Sequence, residues 1–145
     1  MENEPLYILK KYWGYDGFRN SQEAVINSVL SGKDTLALLP TGGGKSITFQ
    51  VPAMMKEGIC IVVSPLVALM TDQVEALKNR EIRALSLSGG LPYPELERLL
   101  NNALYGQYKF LYLSPERLQQ ELVRSYLKAM SINLIVIDEA PCVSH

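Results

Sequence analysis

The sequence predicts an α/β fold, a mostly parallel sheet with helices on both faces, and three observations carry that reading. Short β-branched runs alternate with helix-length segments from about residue 20 to the end of the chain. Several of these runs are apolar throughout, as strands covered on both faces tend to be. The segments between them are long enough for the helical crossovers that parallel neighbours require.

Taken in order, the expected strands are residues 35–39, 59–63, 84–87, 110–113 and 134–137. The helices carry their own boundary signals. Asn20 offers a capping side chain, Glu23 follows three residues on, and Gly32 supplies a C-terminal stop. A helix beginning near Lys45 is expected to kink or end at Pro52. Pro92 and Pro94 punctuate the loop before a helical run over residues 95–104. Ser114, Pro115 and Glu116 combine a capping hydroxyl, a proline at the first helical position and a carboxylate near the positive end of the helix dipole. There is no internal repeat, low-complexity tract or linker, and 145 residues suit one domain.

Composition narrows the function. The formal net charge is -1 at pH 7, which argues against a strongly basic surface that would hold nucleic acid unaided. A local phosphate-contacting strip remains compatible with it. No apolar run is long enough to span a bilayer, and the first residues lack the basic-then-apolar order of a secretory signal. Cys60 and Cys142 show no paired spacing and read as reduced thiols of a cytoplasmic protein.

The sharpest signal is Pro40, Thr41, Gly42, Gly43, Gly44, Lys45 and Ser46, directly after an expected strand and opening an expected helix. Three consecutive glycines let the backbone wrap so that its N–H groups face an anion, and the helix N-terminus adds partial positive charge. Lys45 then reaches the β- and γ-phosphates of a nucleotide, and the Ser46 hydroxyl suits Mg²⁺. Leu39 stands where the general pattern has its first glycine. The plainer alternative is a glycine-rich turn beside a solvated lysine. A second part of such a site follows at residues 134–139, where an apolar strand ends in Asp138 and Glu139. Ligands bind at the carboxyl ends of parallel strands, so Asp138 is expected in the Mg²⁺ shell and Glu139 beside the attacking water. Alone, an Asp-Glu pair reads as a solvated loop; with the glycine loop it makes a two-part ATPase site.

With those residues in hand, the chain resembles the first RecA-like motor domain of RecQ-family helicases, from about Leu9 to Ser144. The segment from Gly14 to Gln22 is similar to the family's nucleotide-recognition stretch. The resemblance implies that Phe18 and Arg19 flank the adenine of ATP and that Gln22 reads its edge, since a carboxamide both donates and accepts. Core packing is the competing reading of Phe18 and of Trp13, and for Trp13 it is the preferred one. The family carries the same leucine before its glycine loop. The run from Val63 to Gln73 resembles the next motif, which implies backbone contacts to single-stranded DNA by Ser64, Pro65, Leu66 and Gln73. The competing reading is a strand-to-helix turn with Leu66, Leu69 and Met70 in the core. Arg117 lies in a segment similar to one lining the same edge, and is read either as a DNA contact or as an exposed helix charge.

The resemblance implies an ATP-dependent DNA helicase using ATP and Mg²⁺, unwinding 3′ to 5′ in recombination and repair. Two departures bear on that. Where the family places a histidine after Asp-Glu-Ala, this chain has Pro141, which offers no side-chain donor and lacks a backbone N–H. His145 is read as a bystander. The family also continues beyond the point where this chain stops, into further strands and a second RecA-like domain bearing a catalytic arginine. The expectation is therefore a domain incomplete at its C-terminus, with terminal strands missing, that binds nucleotide, contacts DNA weakly and does not unwind alone. Two alternatives stand beside it: a nucleotide-binding remnant without turnover, and the motor half of an RNA helicase of the same superfamily.

Overall fold

A computed structural model describes residues 4–18, 22–30, 46–87 and 90–137 of the chain. They fall into two compact units, Met1–Glu57 and Gly58–His145. The expected strand at residues 35–39, the Asn20 cap and the Gly32 stop lie outside the described residues.

In the first unit, helix α1 (Pro5–Ile8) starts on a proline and runs directly into a π-helical turn, Leu9–Trp13. Gly14 closes that turn at φ +77°, and its N–H donates to the carbonyls of Leu9 and Lys10 at 3.0 and 3.1 Å. The left-handed conformation satisfies two terminal carbonyls at once, which a residue with a Cβ does less readily. Helix α2 (Gln22–Leu30) and helix α3 (Ile47–Met55) pack against each other. Ile8, Leu9, Ile26, Ile47 and Val51 form the buried core of this unit, with Tyr12, Trp13, Phe18, Leu30, Met54 and Met55 packed around it. The preferred reading of Trp13 as a core side chain agrees with this cluster.

Of the two outcomes expected at Pro52, a kink or an end, the end does not occur: α3 continues to Met55. Proline removes one backbone donor from the helix ladder, but Val51, Pro52 and Ala53 are all buried. Tertiary packing of that apolar stretch outweighs the lost hydrogen bond.

The second unit is a four-stranded, all-parallel sheet: β1 (Ile59–Val63), β2 (Ala84–Leu87), β3 (Phe110–Leu113) and β4 (Ile132–Ile137), in the order β2-β3-β1-β4. The first three match the expected strands, and β4 begins two residues before its expected start. Between the strands run α4 (Val67–Asn79), α5 (Tyr93–Tyr105), the single turn α6 (Pro115–Leu118) and α7 (Glu121–Ala129). α5 starts at Tyr93, two residues earlier than expected, so Pro94 sits inside its first turn. Proline costs little there, because the first-turn N–H groups have no intrahelical partner.

Alternation along the strands divides the side chains between two faces. Ile59, Ile61, Val63, Leu85, Leu87, Leu111 and Leu113 face α5 and α7, which supply Leu96, Leu100, Ala103 and Val123. On the opposite face, α4 packs on β2 and β3. Helices therefore cover both faces, as expected of a parallel sheet. The central strands β1 and β3 are buried along their full length. β4 departs from the continuous burial its apolar sequence suggests. Its Ile135 and Ile137 fall in register with Ile61 and Val63 yet are 60% and 57% exposed, β4 being an edge strand among the described residues.

Candidate functional site

The first unit holds one group of candidates. Phe18 packs against the cluster containing Ile26 of α2 and Ile47 of α3, in keeping with its competing reading as a core side chain. Gln22 is the first residue of α2 and is buried. Ser46 is the N-cap of α3, and its carbonyl accepts the N–H groups of Phe49 and Gln50 at 3.2 and 2.9 Å. Its hydroxyl makes no capping bond. Ser46 itself has helical backbone angles, φ -63° and ψ -30°, a conformation in which a serine does not cap, and the residue is half-buried. The shared core thus brings the Phe18 and Gln22 segment onto the same small unit as the helix that Ser46 opens. Arg19, Thr41, Gly42, Gly43, Gly44, Lys45, Asp138, Glu139, Pro141 and His145 lie outside the described residues.

The second unit holds the other group, at the carboxyl end of β1. Ser64 continues the ladder beyond the strand, its N–H donating to the Leu113 carbonyl at 3.0 Å. Its hydroxyl accepts the Leu66 N–H at 3.2 Å, and the residue is only 2% exposed. In this arrangement Ser64 shapes the turn from inside. The turn then projects Pro65, Leu66, Val67 and Ala68 to the surface at the start of α4. Leu66 is 41% exposed, which corrects its reading as a core residue; Met70 is buried as expected and Leu69 partly so. The first-turn N–H groups of this thirteen-residue helix have no intrahelical partner, and groups of this kind can donate to an anion. Two helical turns further along α4, Gln73 is half-buried, and its Oε1 accepts the Tyr112 hydroxyl at 2.7 Å.

Arg117 corrects the sequence reading in a different way. It is neither an exposed helix charge nor a surface contact: it is 6% exposed, and its guanidinium donates to Gln120 Oε1 at 2.9 Å across the break between α6 and α7. A buried guanidinium has to be bonded, and this one ties the loop after β3 together. Tyr112 and Arg117 are the residues that sequence reasoning undervalued. The available signal was a lone phenol within the apolar run Phe110–Leu113.

Among the described residues no group of three or more metal-binding side chains occurs, and no helix is long and apolar enough to cross a membrane. Cys60 is buried in β1, and burial pushes its thiol up to about 12, consistent with an unreactive reduced cysteine.

Comparison with known proteins adds the lineage. Residues 19–145 match the family described as DEAD/DEAH box helicase. A probable ATP-dependent DNA helicase RecS of Bacillus subtilis is 49% identical over 94% of this chain, which covers 27% of that relative. The ATP-dependent DNA helicase RecQ of a Synechocystis strain is 47% identical over 93% of the chain and 29% of its own length. The ATP-dependent helicase wrn-1 of Caenorhabditis elegans is 40% identical over 97% of the chain and 13% of its own length. The chain thus spans between about an eighth and under a third of these curated relatives.

Proposed function

The chain belongs to the DEAD/DEAH box helicase family, and on that premise we propose that residues 1–145 form the first RecA-like, ATP-binding domain of a RecQ-type ATP-dependent DNA helicase. The activity proposed for the whole protein is coupling of ATP hydrolysis to 3′–5′ unwinding of DNA in recombination and repair, in a cytoplasmic setting. One observation supports this most. The family match takes in the glycine loop, the Ser64–Gln73 region and the Asp138–Glu139 pair as one ordered set.

In this reading the backbone N–H groups of Thr41, Gly42, Gly43 and Gly44 cradle the phosphates of ATP, and Lys45 reaches the β- and γ-phosphates. The Ser46 hydroxyl and Asp138 hold Mg²⁺. When bound, that ion supplies positive charge against the developing negative charge of phosphoryl transfer. Glu139 orients the attacking water. Phe18 and Arg19 flank the adenine while Gln22 reads its edge. The outward turn at Pro65 and Leu66, the first N–H groups of α4 and the Gln73 carboxamide contact the backbone of single-stranded DNA, with Ser64 holding the turn in shape.

Titration of the chain with Mg²⁺-ATP, with turnover read in the same samples, tests the reading. Saturable binding that weakens about tenfold or more in Lys45→Ala is expected, since a charge-assisted hydrogen bond to phosphate is worth about 1.5–3 kcal/mol. Equal binding by both proteins would remove the phosphate loop from the argument. A second reading is favoured by Pro141: nucleotide binding with weakened coupling of hydrolysis to DNA. Turnover that is unresponsive to single-stranded DNA while ATP still binds would select it.

A further inference from the structure

Tyr112 is 1% exposed in the middle of the sheet, paired in register with Val62 on one side and Ser86 on the other. The neighbouring positions Phe110, Leu111 and Leu113 are purely apolar, and a phenylalanine would fill the same space. A buried hydroxyl costs free energy unless it is bonded, so its presence calls for a partner. That partner is Gln73, 39 residues away in sequence, whose Oε1 accepts the phenol proton at 2.7 Å.

A carboxamide is ambivalent, with an acceptor oxygen and a donor nitrogen that exchange places by a half-turn of the terminal torsion. A phenol oxygen can also accept, but in this structure it donates to the carboxamide oxygen, and the NH₂ group points the other way. A phosphate is an acceptor only, and an amide fixed with its donors outward matches it without first losing torsional freedom. Gln73 also lies seven residues after Leu66, on the same stripe of α4 and about 10 Å along the axis from the exposed turn that Ser64 braces. We propose that Tyr112 is a positioning residue for nucleic-acid binding: its hydroxyl locks the Gln73 carboxamide in the donor-outward orientation that a phosphate of the bound strand requires. This rests on the reading of Gln73 as a backbone contact.

The test is a double-mutant cycle on the 145-residue chain, with anisotropy of a labelled oligo-dT strand as readout and Mg²⁺-ATP affinity and thermal midpoint measured alongside. Tyr112→Phe and Gln73→Met are each expected to weaken strand binding by about three- to tenfold, the worth of one hydrogen bond. The double variant should be no weaker than Gln73→Met alone, with ATP affinity unchanged throughout. Gln73→Asn, which keeps the amide but withdraws it from the phenol, should lose affinity as Tyr112→Phe does, and it supplies the answer if the phenylalanine variant does not fold. Wild-type affinity in Tyr112→Phe or Gln73→Asn, beside a weakened Gln73→Met, would overturn the tether and leave the Gln73 contact standing. Losses that add in the double variant would place Tyr112 outside the contact. Wild-type affinity in Gln73→Met would remove the contact itself and the inference with it.

Discussion

Cys60 carries an ordinary thiol in a place that changes its chemistry. Desolvation raises its pKa from 9.0 to about 12, against a smaller opposing pull from the Lys109 ammonium. The unfolded thiol ionises first, so between those values the unfolded state has released a proton that the folded state keeps. The stabilisation is therefore full below pH 9 and falls by about 1.4 kcal/mol per pH unit as pH rises toward 12. Denaturant midpoints at pH 8, 9.5 and 10.5 should show a shallower decline in Cys60→Val than in the parent; parallel declines would mean the thiol has no part in it. Pro141 stands where the family resemblance implies a histidine. Replacing it with histidine restores a side-chain donor, and DNA-stimulated ATP turnover of the whole protein should rise severalfold, about 1 kcal/mol in the barrier. Turnover that does not respond to Pro141→His would show that coupling does not pass through this position. The same scale shows how legibility varies. Lys45 and Asp138 are read from their neighbours in sequence alone, since both lie outside the described residues. Arg117 was misread because its burial depends on Gln120 and on the packing around α6, which local pattern does not encode.

At the scale of the element, helix and strand types followed their patterns closely, and the differences cluster at proline and at edges. Pro52 and Pro94 lie within helices where the sequence suggested limits, one rescued by buried packing and the other harmless in a first turn. The entry to β1 is a sharper constraint than the sequence alone reveals. Gly58 has φ +106°, and a Cβ there would collide with the Ser131 carbonyl oxygen. Both the backbone conformation and the contact with backbone forbid a side chain, since the obstructing atom cannot rotate away. Gly58→Ala should destabilise the fold by about 1–3 kcal/mol or more, read as a lowered denaturant midpoint with an unchanged slope. A midpoint equal to the parent's would mean that the β1 and β4 backbones separate readily at this point.

Across the whole molecule, a nearly neutral charge balance limits how nucleic acid can be held. With a formal net charge of -1, and proposed contacts made by backbone N–H groups and a carboxamide, few counterions are displaced on binding. The slope of log affinity against log salt for single-stranded DNA should be no steeper than about -1.4, the value for two neutralised phosphates. A slope several units steeper would demand a basic strip that the proposed contacts do not include. What the sequence by itself determined was the alternation of strands and helices, the parallel sheet and the order of the glycine-loop, Ser64–Gln73 and Asp-Glu segments. Each of these is written in periodicity and short spacing, which depend on residues close along the chain. What only the tertiary structure decided was which polar side chains find partners and which apolar ones stay exposed. The Tyr112–Gln73 bond, the buried Arg117, the outward Leu66 and the uncovered Ile135 and Ile137 all turn on how strands order themselves and where helices cross them. Those placements are fixed by contacts between segments far apart in sequence, and no local pattern carries them.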